Sequence, residues 1–593
     1  MPQSEIKICQ NCQQEFVIEP EDFDFYEKIQ VPGPTFCPEC REQRRIAFRN
    51  ERALYKKKCD LCGKEIISRV SPDKSCPVYC RECWWSDRWD SLKYGRVYDF
   101  SQSFFEQYHQ LLLSTPHISI LNQNTVDSDW VNQETDDKNC YLNVGGHYNE
   151  DSAYNTYSLY GKWTFDNFWV LNSELAYENL NCERCYKIFF SEFCFNSQDI
   201  AFSFDCRNCS NLLGCAGLRN KKYCLFNKQV SQQEYQRFIT KNPLSSSQNI
   251  NKIWKQSEKI WLSVPHRFAL IQKSINTSGN IINTSKNAKN CWNVEDTEEA
   301  KYIYIGGWLK NSYDESSHGA TELGYECSSG GGIYHPKFLV FCLSGDPLKT
   351  IHSSYLEYCY SVVNSNNCFG CANLHDKQYC IFNKQYSKES FSELRTKIIQ
   401  HMNDLPYVDK KGRIYKYGEF FPIELSPFGY NETAAMDYYP LTRSQSLEEG
   451  YLWCDFKLEN KYEFSDYTIP DDIRDVGDDI LKKILKCEVS GQAYKIIPME
   501  LQFYRHMGLP IPRRAPLQRH KDRIAKLLPR KLYDRQCQCP GKQNAKNKTQ
   551  NVYLNTITHF HGDSPCLNKI KTPYAPDRPE VIYCEQCYQQ EIS

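Results

Sequence analysis

The chain is poor in methionine (5) and histidine (13), and it carries almost no net charge, −1 at pH 7 over 593 residues. A near-neutral balance gives no global field that would draw nucleic acid or a membrane surface. No apolar run approaches the roughly 18 residues a membrane-spanning helix needs. The opening MPQSEIKICQ is polar and lacks a signal-peptide core. The usual catalytic signatures are missing as well. There is no G-x-x-x-x-G-K-S/T, no H-E-x-x-H and no G-x-S-x-G, and the glycines at 330–332 have no phosphate-loop context. These absences set the first expectations: a cytoplasmic protein, no membrane partner, no catalytic residue to single out, and a balance tilted away from an enzyme.

What is abundant is cysteine (31), with 41 Tyr and 31 Phe. In a reducing compartment, cysteines at pair spacing read as zinc ligands more readily than as disulfides. They come as CxxC pairs at the ends: Cys9/Cys12 with Cys37/Cys40, Cys59/Cys62 with Cys80/Cys83, and Cys584/Cys587 near the C-terminus. A CxxC turn sets two thiolates on one side of a tight loop, and two such turns make the tetrahedral S4 set that zinc accepts. All four positions of the first two sets are cysteine, so the expected role is structural.

The ends are copies of each other. Residues 9–59 lie over 487–537 without a gap, at an offset of 478, and pair Phe25/Phe503, Tyr26/Tyr504, Arg41/Arg519 and Arg45/Arg523. In the second copy Cys12, Cys37 and Cys40 have become Ser490, Ala515 and Gln518, so that module is expected to keep its shape and lose its zinc. Residues 62–83 lie over 566–587 at an offset of 504. The offsets differ by 504 − 478, so about 26 residues are inserted inside the first knuckle of this copy, between Cys537 and Cys566. Cys566, Cys584 and Cys587 are then expected to bind zinc with one of Cys537 or Cys539. His559 and His561, carried by the insertion, are alternatives that read more readily as surface residues. This makes about three zinc ions per chain.

The segment ICQNCQQEFVIEPEDFDFYEKIQVPGPTFCPECREQRR resembles zinc-ribbon domains with a CxxC, an aromatic-rich hairpin carrying a Phe-Tyr pair, and a closing CPxCR. CDLCGKEI…SPDKSCPVYCRECW resembles the companion knuckle of small bacterial CxxC proteins. The layout as a whole is similar to multi-zinc-ribbon proteins of uncultured small-genome bacteria. The resemblance implies zinc binding and a ribbon or treble-clef fold, and it implies no activity.

The middle is a second duplication. Residues 215–229 recur at 371–385, an offset of 156, and Pro116-His117 recurs as Pro265-His266. Cys182, Cys194 and Cys206 are 12 apart, and Tyr154, Phe165, Tyr177 and Phe189 recur at 11 or 12. Short strands at constant spacing, joined by Asn, Ser, Asp and Gly, predict stacked coils of a parallel β-helix. Cysteine and aromatic ladders would fill its core, and asparagine ladders would pair at its turns. The middle cysteines read as reduced core packing, with Cys182/Cys185 and Cys206/Cys209 as a rival metal set. The fold expected is mixed and β-rich: zinc-ribbon or treble-clef-like modules at both termini flank a duplicated β-solenoid-like middle with short helices. The boundaries are 1–58 and 59–100 for two zinc ribbons, 101–250 and 251–402 for two helix-plus-solenoid units, 403–486 for an irregular connector, 487–536 for the degenerate copy, and 537–593 for the third ribbon.

Charge is uneven. Residues 41–58 hold eight Lys/Arg and two acids, and residues 512–535 hold nine and two. A basic helix beside a zinc module is a common grip on phosphates. Arg41, Arg44, Arg45, Arg49, Arg519 and Arg523 are therefore the candidate contacts to RNA or DNA. The function expected is a non-enzymatic zinc protein that binds nucleic acid or serves as an adaptor. The alternatives are a scaffold for protein alone, or a β-helix hydrolase or lyase acting on a polysaccharide.

Overall fold

The structure is a computed structural model and describes residues 3–344, 350–456, 463–541 and 553–592. The fold is β-rich, with strands mostly of four residues and twelve α-helices among the described residues. It divides into two compact units. One comprises residues 1–120 and 269–456, the other 121–268 and 457–593.

In the second unit, residues 121–229 come back into register every twelve residues. Glu174 pairs in parallel with Lys162 on one side and Tyr186 on the other, and single bridges such as Asn132 to Val144 repeat the same step. The chain turns a corner at every third residue. Asn139, Leu142, Tyr148, Asp151, Tyr154, Tyr157, Tyr160 and Trp163 all have φ between 50° and 63°. A left-handed corner is unfavourable for an L-residue and mildest for Asn and Asp, which accounts for the asparagine content. The complete parallel ladder is what offsets the rest.

With a corner at every third residue, only one residue in three points inward. The interior columns therefore take small and medium side chains. One column reads Ala176, Ile188, Ile200, Leu212 and another Val170, Cys182, Cys194, Cys206, all buried. A third is Asn143, Asn155, Asn167, Asn179, each at most 1% exposed. The Nδ2 of Asn155, Asn167 and Asn179 each donates to the Oδ1 twelve residues back, at 3.2, 3.0 and 2.9 Å. The asparagine ladder thus runs inside the coils rather than at exposed turns. The aromatic column is corrected the other way: Phe165, Tyr177 and Phe189 face outward and are buried beneath Leu501, Phe503 and Tyr504. A three-residue side leaves no room inside for a ring.

Residues 279–381 of the first unit repeat the step, after an opening coil of eleven from Ile271 to Ile282. Tyr313 pairs with Tyr325 and Tyr325 with Lys337. Between Leu339 and Cys359 the step is 20 residues, an eight-residue enlargement of one coil.

Each terminal module starts with a two-stranded ribbon, such as Glu5–Ile8 with Glu15–Ile18 or Tyr533–Gln536 with Lys569–Thr572. Phe25 and Tyr26, expected on a hairpin, lie on the helix Pro20–Lys28. Proline begins that helix, and Asp22 accepts from the Glu19 amide at 3.0 Å. The basic stretches are also less helical than expected. Pro38–Ile46 and Pro516–Ile524 are helices, but Lys56, Lys57 and Lys58 lie on a strand. The connector carries two 3-10 turns near its end, Ile473–Asp475 and Asp478–Lys482.

The modules pack on the coils in the same way in both units. In the first, Phe25 stacks on Tyr313 with ring centroids 3.9 Å apart, and Tyr26 meets Tyr325 edge-on at 5.5 Å. In the second, Phe503 stacks on Phe165 at 4.0 Å and Tyr504 meets Tyr177 at 5.6 Å. The module residues differ by 478 (503 − 25) and the coil residues by 148 (313 − 165). The N-terminal module therefore covers the second copy of the coils, and the C-terminal module covers the first.

Candidate metal centres

Four groups of cysteine and histidine gather their ligand atoms within 4.8 Å: Cys9/Cys12/Cys37/Cys40, Cys59/Cys62/Cys80/Cys83, Cys537/Cys566/Cys584/Cys587, and Cys539/His559/His561/Cys587. Ribbon and helix position them. The first CxxC sits at the ribbon's turn, where Gly63 adopts φ 75°. The second CxxC opens a helix, with Cys37 and Cys80 as N-caps. A helix N-terminus favours the thiolate over the thiol. Backbone amides add to this: Cys37 N donates to Cys9 Sγ at 3.3 Å, Cys80 N to Cys59 Sγ at 3.2 Å, and Cys584 N to Cys537 Sγ at 3.1 Å.

Burial raises the Cys59 thiol, but the amides of Cys80 and Cys62 outweigh it and hold it at about 7. The neighbouring Cys537 holds Cys584 at about 4. Sulfur separations of 3.7 Å (Cys12 to Cys37) and 3.9 Å (Cys62 to Cys80) match the edge of about 3.8 Å of a tetrahedron with 2.3 Å zinc–sulfur bonds. The donor sets, three of four sulfurs and one of two sulfurs and two imidazoles, are those of tetrahedral zinc. Each group offers four protein ligands, Cys587 being common to the last two.

The count differs from the three expected. Cys537 and Cys539 do not compete for one place but enter different groups. His559 and His561 both join the second of these. His559, expected at the surface, is 3% exposed, and its Nε2 lies 2.8 Å from Glu591. Glu591 was missed because it lies 32 residues from the histidine it orients. The degenerate copy keeps the amide bond from Ser490 N to Cys487 Sγ (3.4 Å), yet Cys487 belongs to no metal-fitting group among the described residues.

The middle cysteines stand apart. Each thiol donates to the carbonyl two residues before it, as Cys182 does to Leu180 and Cys194 to Glu192, both at 3.4 Å. Burial pushes Cys185 up to about 12. Cys182/Cys185 and Cys206/Cys209 enter no metal-fitting group among the described residues.

The six candidate arginines are buried rather than on a solvated helix face. Arg41, Arg44, Arg45, Arg49, Arg519 and Arg523 are all at most 3% exposed. Arg41 and Arg45 share Asp314, at 2.8 and 3.2 Å; Arg45 and Arg44 share Glu326, at 3.1 and 2.9 Å; Arg44 also pairs with Glu419 at 3.1 Å. Arg49 pairs with Glu51 and bonds to Ser317 Oγ at 2.6 Å. In the other unit Arg519 and Arg523 share Asp166, at 3.0 and 2.9 Å, and Arg523 reaches Glu178 at 3.1 Å. Their charge is matched by carboxylates inside the fold. The partners Asp314 and Glu326 were missed because nothing local in the sequence points to them.

A groove of about 850 Å³ lies over the coils of the second unit, lined by Tyr160, Lys162, Arg184, Tyr186 and Lys222 among others, with Glu174 its one carboxylate.

No family model matches the chain, and no curated protein matches it. Among solved structures, one titled a "putative acetyltransferase" from Desulfovibrio desulfuricans G20 aligns over 50% of this chain and 86% of its own, at 8% identity and a TM-score of 0.09. A likeness that weak carries no argument. No helix among the described residues is long and apolar enough to cross a membrane.

Proposed function

We propose that the protein is a non-enzymatic, metal-stabilised scaffold that binds another protein. In this reading the terminal modules are zinc ribbons, the duplicated middle is a pair of β-solenoids, and the ribbons clamp the solenoids. The observation that carries it is the burial of Arg41, Arg44, Arg45, Arg519 and Arg523 in ion pairs. That arrangement withdraws the charge a nucleic-acid grip would use. The two N-terminal groups, each with four cysteines of its own, support the same reading, because they leave no open position for catalysis. A reducing compartment such as the cytoplasm fits 31 free thiols. The groove with its half-exposed Tyr160 and Tyr186 is the face a partner would use.

The test is affinity capture from native lysate with and without nuclease. A partner protein retained equally in both arms is the expected result. Loss of the partner on nuclease treatment, or recovery of nucleic acid alone, would overturn the reading. Titration of a mixed-sequence RNA gives a second check. Each phosphate contact contributes roughly −0.7 to the log–log salt slope for a single strand, and a slope near zero is expected.

A further inference from the structure

We propose that the two C-terminal groups form one binuclear centre, in which Cys587 Sγ bridges two zinc ions. Cys587 belongs both to the group with Cys537, Cys566 and Cys584 and to the group with Cys539, His559 and His561. One sulfur cannot serve two isolated tetrahedral sites, but a thiolate has lone pairs enough to bind two cations. The proposal is independent of whether the protein is a scaffold.

The duplication shows how the second metal position arose. Cys59, Cys62, Cys80 and Cys83 correspond to Cys537, Cys566, Cys584 and Cys587 at offsets of 478 and 504. The first metal therefore takes the set that the N-terminal knuckle already has. Cys539, His559 and His561 all lie between Cys537 and Cys566, in the stretch where the 26 extra residues fall. The insertion supplies three ligands and borrows the fourth. The two knuckles also differ at the borrowed sulfur. Cys83 Sγ accepts from the Arg88 guanidinium, whereas Cys587 Sγ faces His561 Nε2 at 3.4 Å. A cation, fixed in one case and bound in the other, meets the outer side of the same thiolate.

The second position is built rather than incidental. His559 Nδ1 and His561 Nε2 lie 3.1 and 3.2 Å from Cys539 Sγ. The remaining nitrogen of each ring is already occupied: His559 Nε2 by Glu591 at 2.8 Å, and His561 Nδ1 by the Ser564 carbonyl at 2.7 Å. Such outer partners fix the tautomer that presents a lone pair to a metal. Asn555 Nδ2 donates to Cys539 Sγ at 3.2 Å. Charge favours the pair as well. One dication on four thiolates leaves −2, while two dications on five thiolates and two neutral imidazoles leave −1, and a buried site is less costly with the smaller charge.

The full chain, reconstituted with excess zinc under reducing conditions and then dialysed, is expected to hold four zinc ions by elemental analysis. X-ray absorption at the zinc edge should show metal–metal scattering at no more than about 4 Å, the spacing of two-metal sites. His559→Ala/His561→Ala, and separately Cys539→Ala, should each lower the count to three and abolish that scattering. A count of three shows that the other sites remain folded. Three zinc ions without metal–metal scattering in the unmodified chain, four without it, or scattering that persists in both variants would each overturn the proposal.

Discussion

Arg45 and Asp314 are 269 residues apart in the chain and 3.2 Å apart in the fold, both fully buried. The same bond recurs as Arg523 to Asp166 at 2.9 Å. The acids repeat as strictly as the arginines, Asp166 and Glu178 becoming Asp314 and Glu326 at an offset of 148. This is why Arg519 and Arg523 remain in the module that has lost its cysteine tetrad. They hold module to coil, and that joint does not depend on metal.

Removing one partner of such a network should be severe. Arg45→Gln leaves Asp314 and Glu326 short of a cation in a dry interior, which costs about 3–5 kcal/mol. Arg443, whose pair with Asp455 is 57% and 64% exposed at the side chains, is the control in the same unit. Arg443→Gln should cost less than about 1 kcal/mol. Chemical denaturation of both variants measures the difference. Equal losses would show that the buried network contributes nothing special.

The parts visible in the sequence were those whose cause is local. CxxC pairs near the ends mark metal-fitting turns, whereas Cys182/Cys185 and Cys206/Cys209, at the same spacing, lie in the coil core; the twelve-residue spacing of Cys182, Cys194 and Cys206 is what tells the two apart. The subtraction of the two offsets located the insertion, although not what its histidines do. Long-range pairing was hidden. Arg41 and Arg45 carry no sign of burial in their own helix, which is basic enough to pass for a solvated face. Asp166/Asp314 and Glu178/Glu326, duplicated and twelve apart, were the signal that could have revealed it. The aromatic column misled for a geometric reason: a period of twelve says that side chains stack, not on which side of the wall they do so.

Thiol chemistry should divide the cysteines into two populations. Chelation frees the terminal thiols, some of them held at low pKa, such as Cys584 at about 4. Burial keeps Cys185, Cys291 and Cys342 near 12 and out of solvent. Iodoacetamide with a chelator, read by peptide mass spectrometry, is expected to label the terminal ligands and spare residues 140–380 until denaturant is added. Early labelling of Cys194 or Cys206 would mean that chelation collapses the coils and that metal supports the middle as well.

The asparagine column should tolerate substitution poorly. Asn167 Nδ2 donates to Asn155 Oδ1 and to the Ala176 carbonyl, while its Oδ1 accepts from Asn179. Asn167→Asp removes both donors and buries a charge against carbonyl oxygens. Asn167→Ala instead leaves its neighbours unpaired, at about 1–3 kcal/mol each. The aspartate variant is expected to be the less stable of the two near neutral pH and to regain stability as its carboxyl is protonated. A ranking in which alanine is worse at every pH would mean that packing volume, not hydrogen bonding, governs the column.

His117 gives the first unit a pH-dependent stability of definite sign. Burial, and behind it the charges of Arg69 and Lys57, lowers its pKa from 6.5 to about 4. Its Nε2 donates to the Leu112 carbonyl at 2.9 Å, which favours the charged ring, but burial outweighs that bond and the neutral ring is the one the fold accepts. Between pH 4 and 6.5 the unfolded chain binds a proton that the folded chain refuses. Stability from this group is therefore complete above pH 6.5 and falls as pH drops towards 4. At pH 5 the loss is about 2 kcal/mol relative to pH 7, at 1.36 kcal/mol per unit. Thiolate protonation weakens the metal sites over part of the same range, so the measurement is a difference between two proteins. His117→Gln retains a donor for Leu112 and cannot titrate. Urea unfolding at pH 7 and pH 5 should show the wild type losing about 2 kcal/mol more than the variant. Parallel losses would mean that His117 is charged, or reached by water, in the folded state.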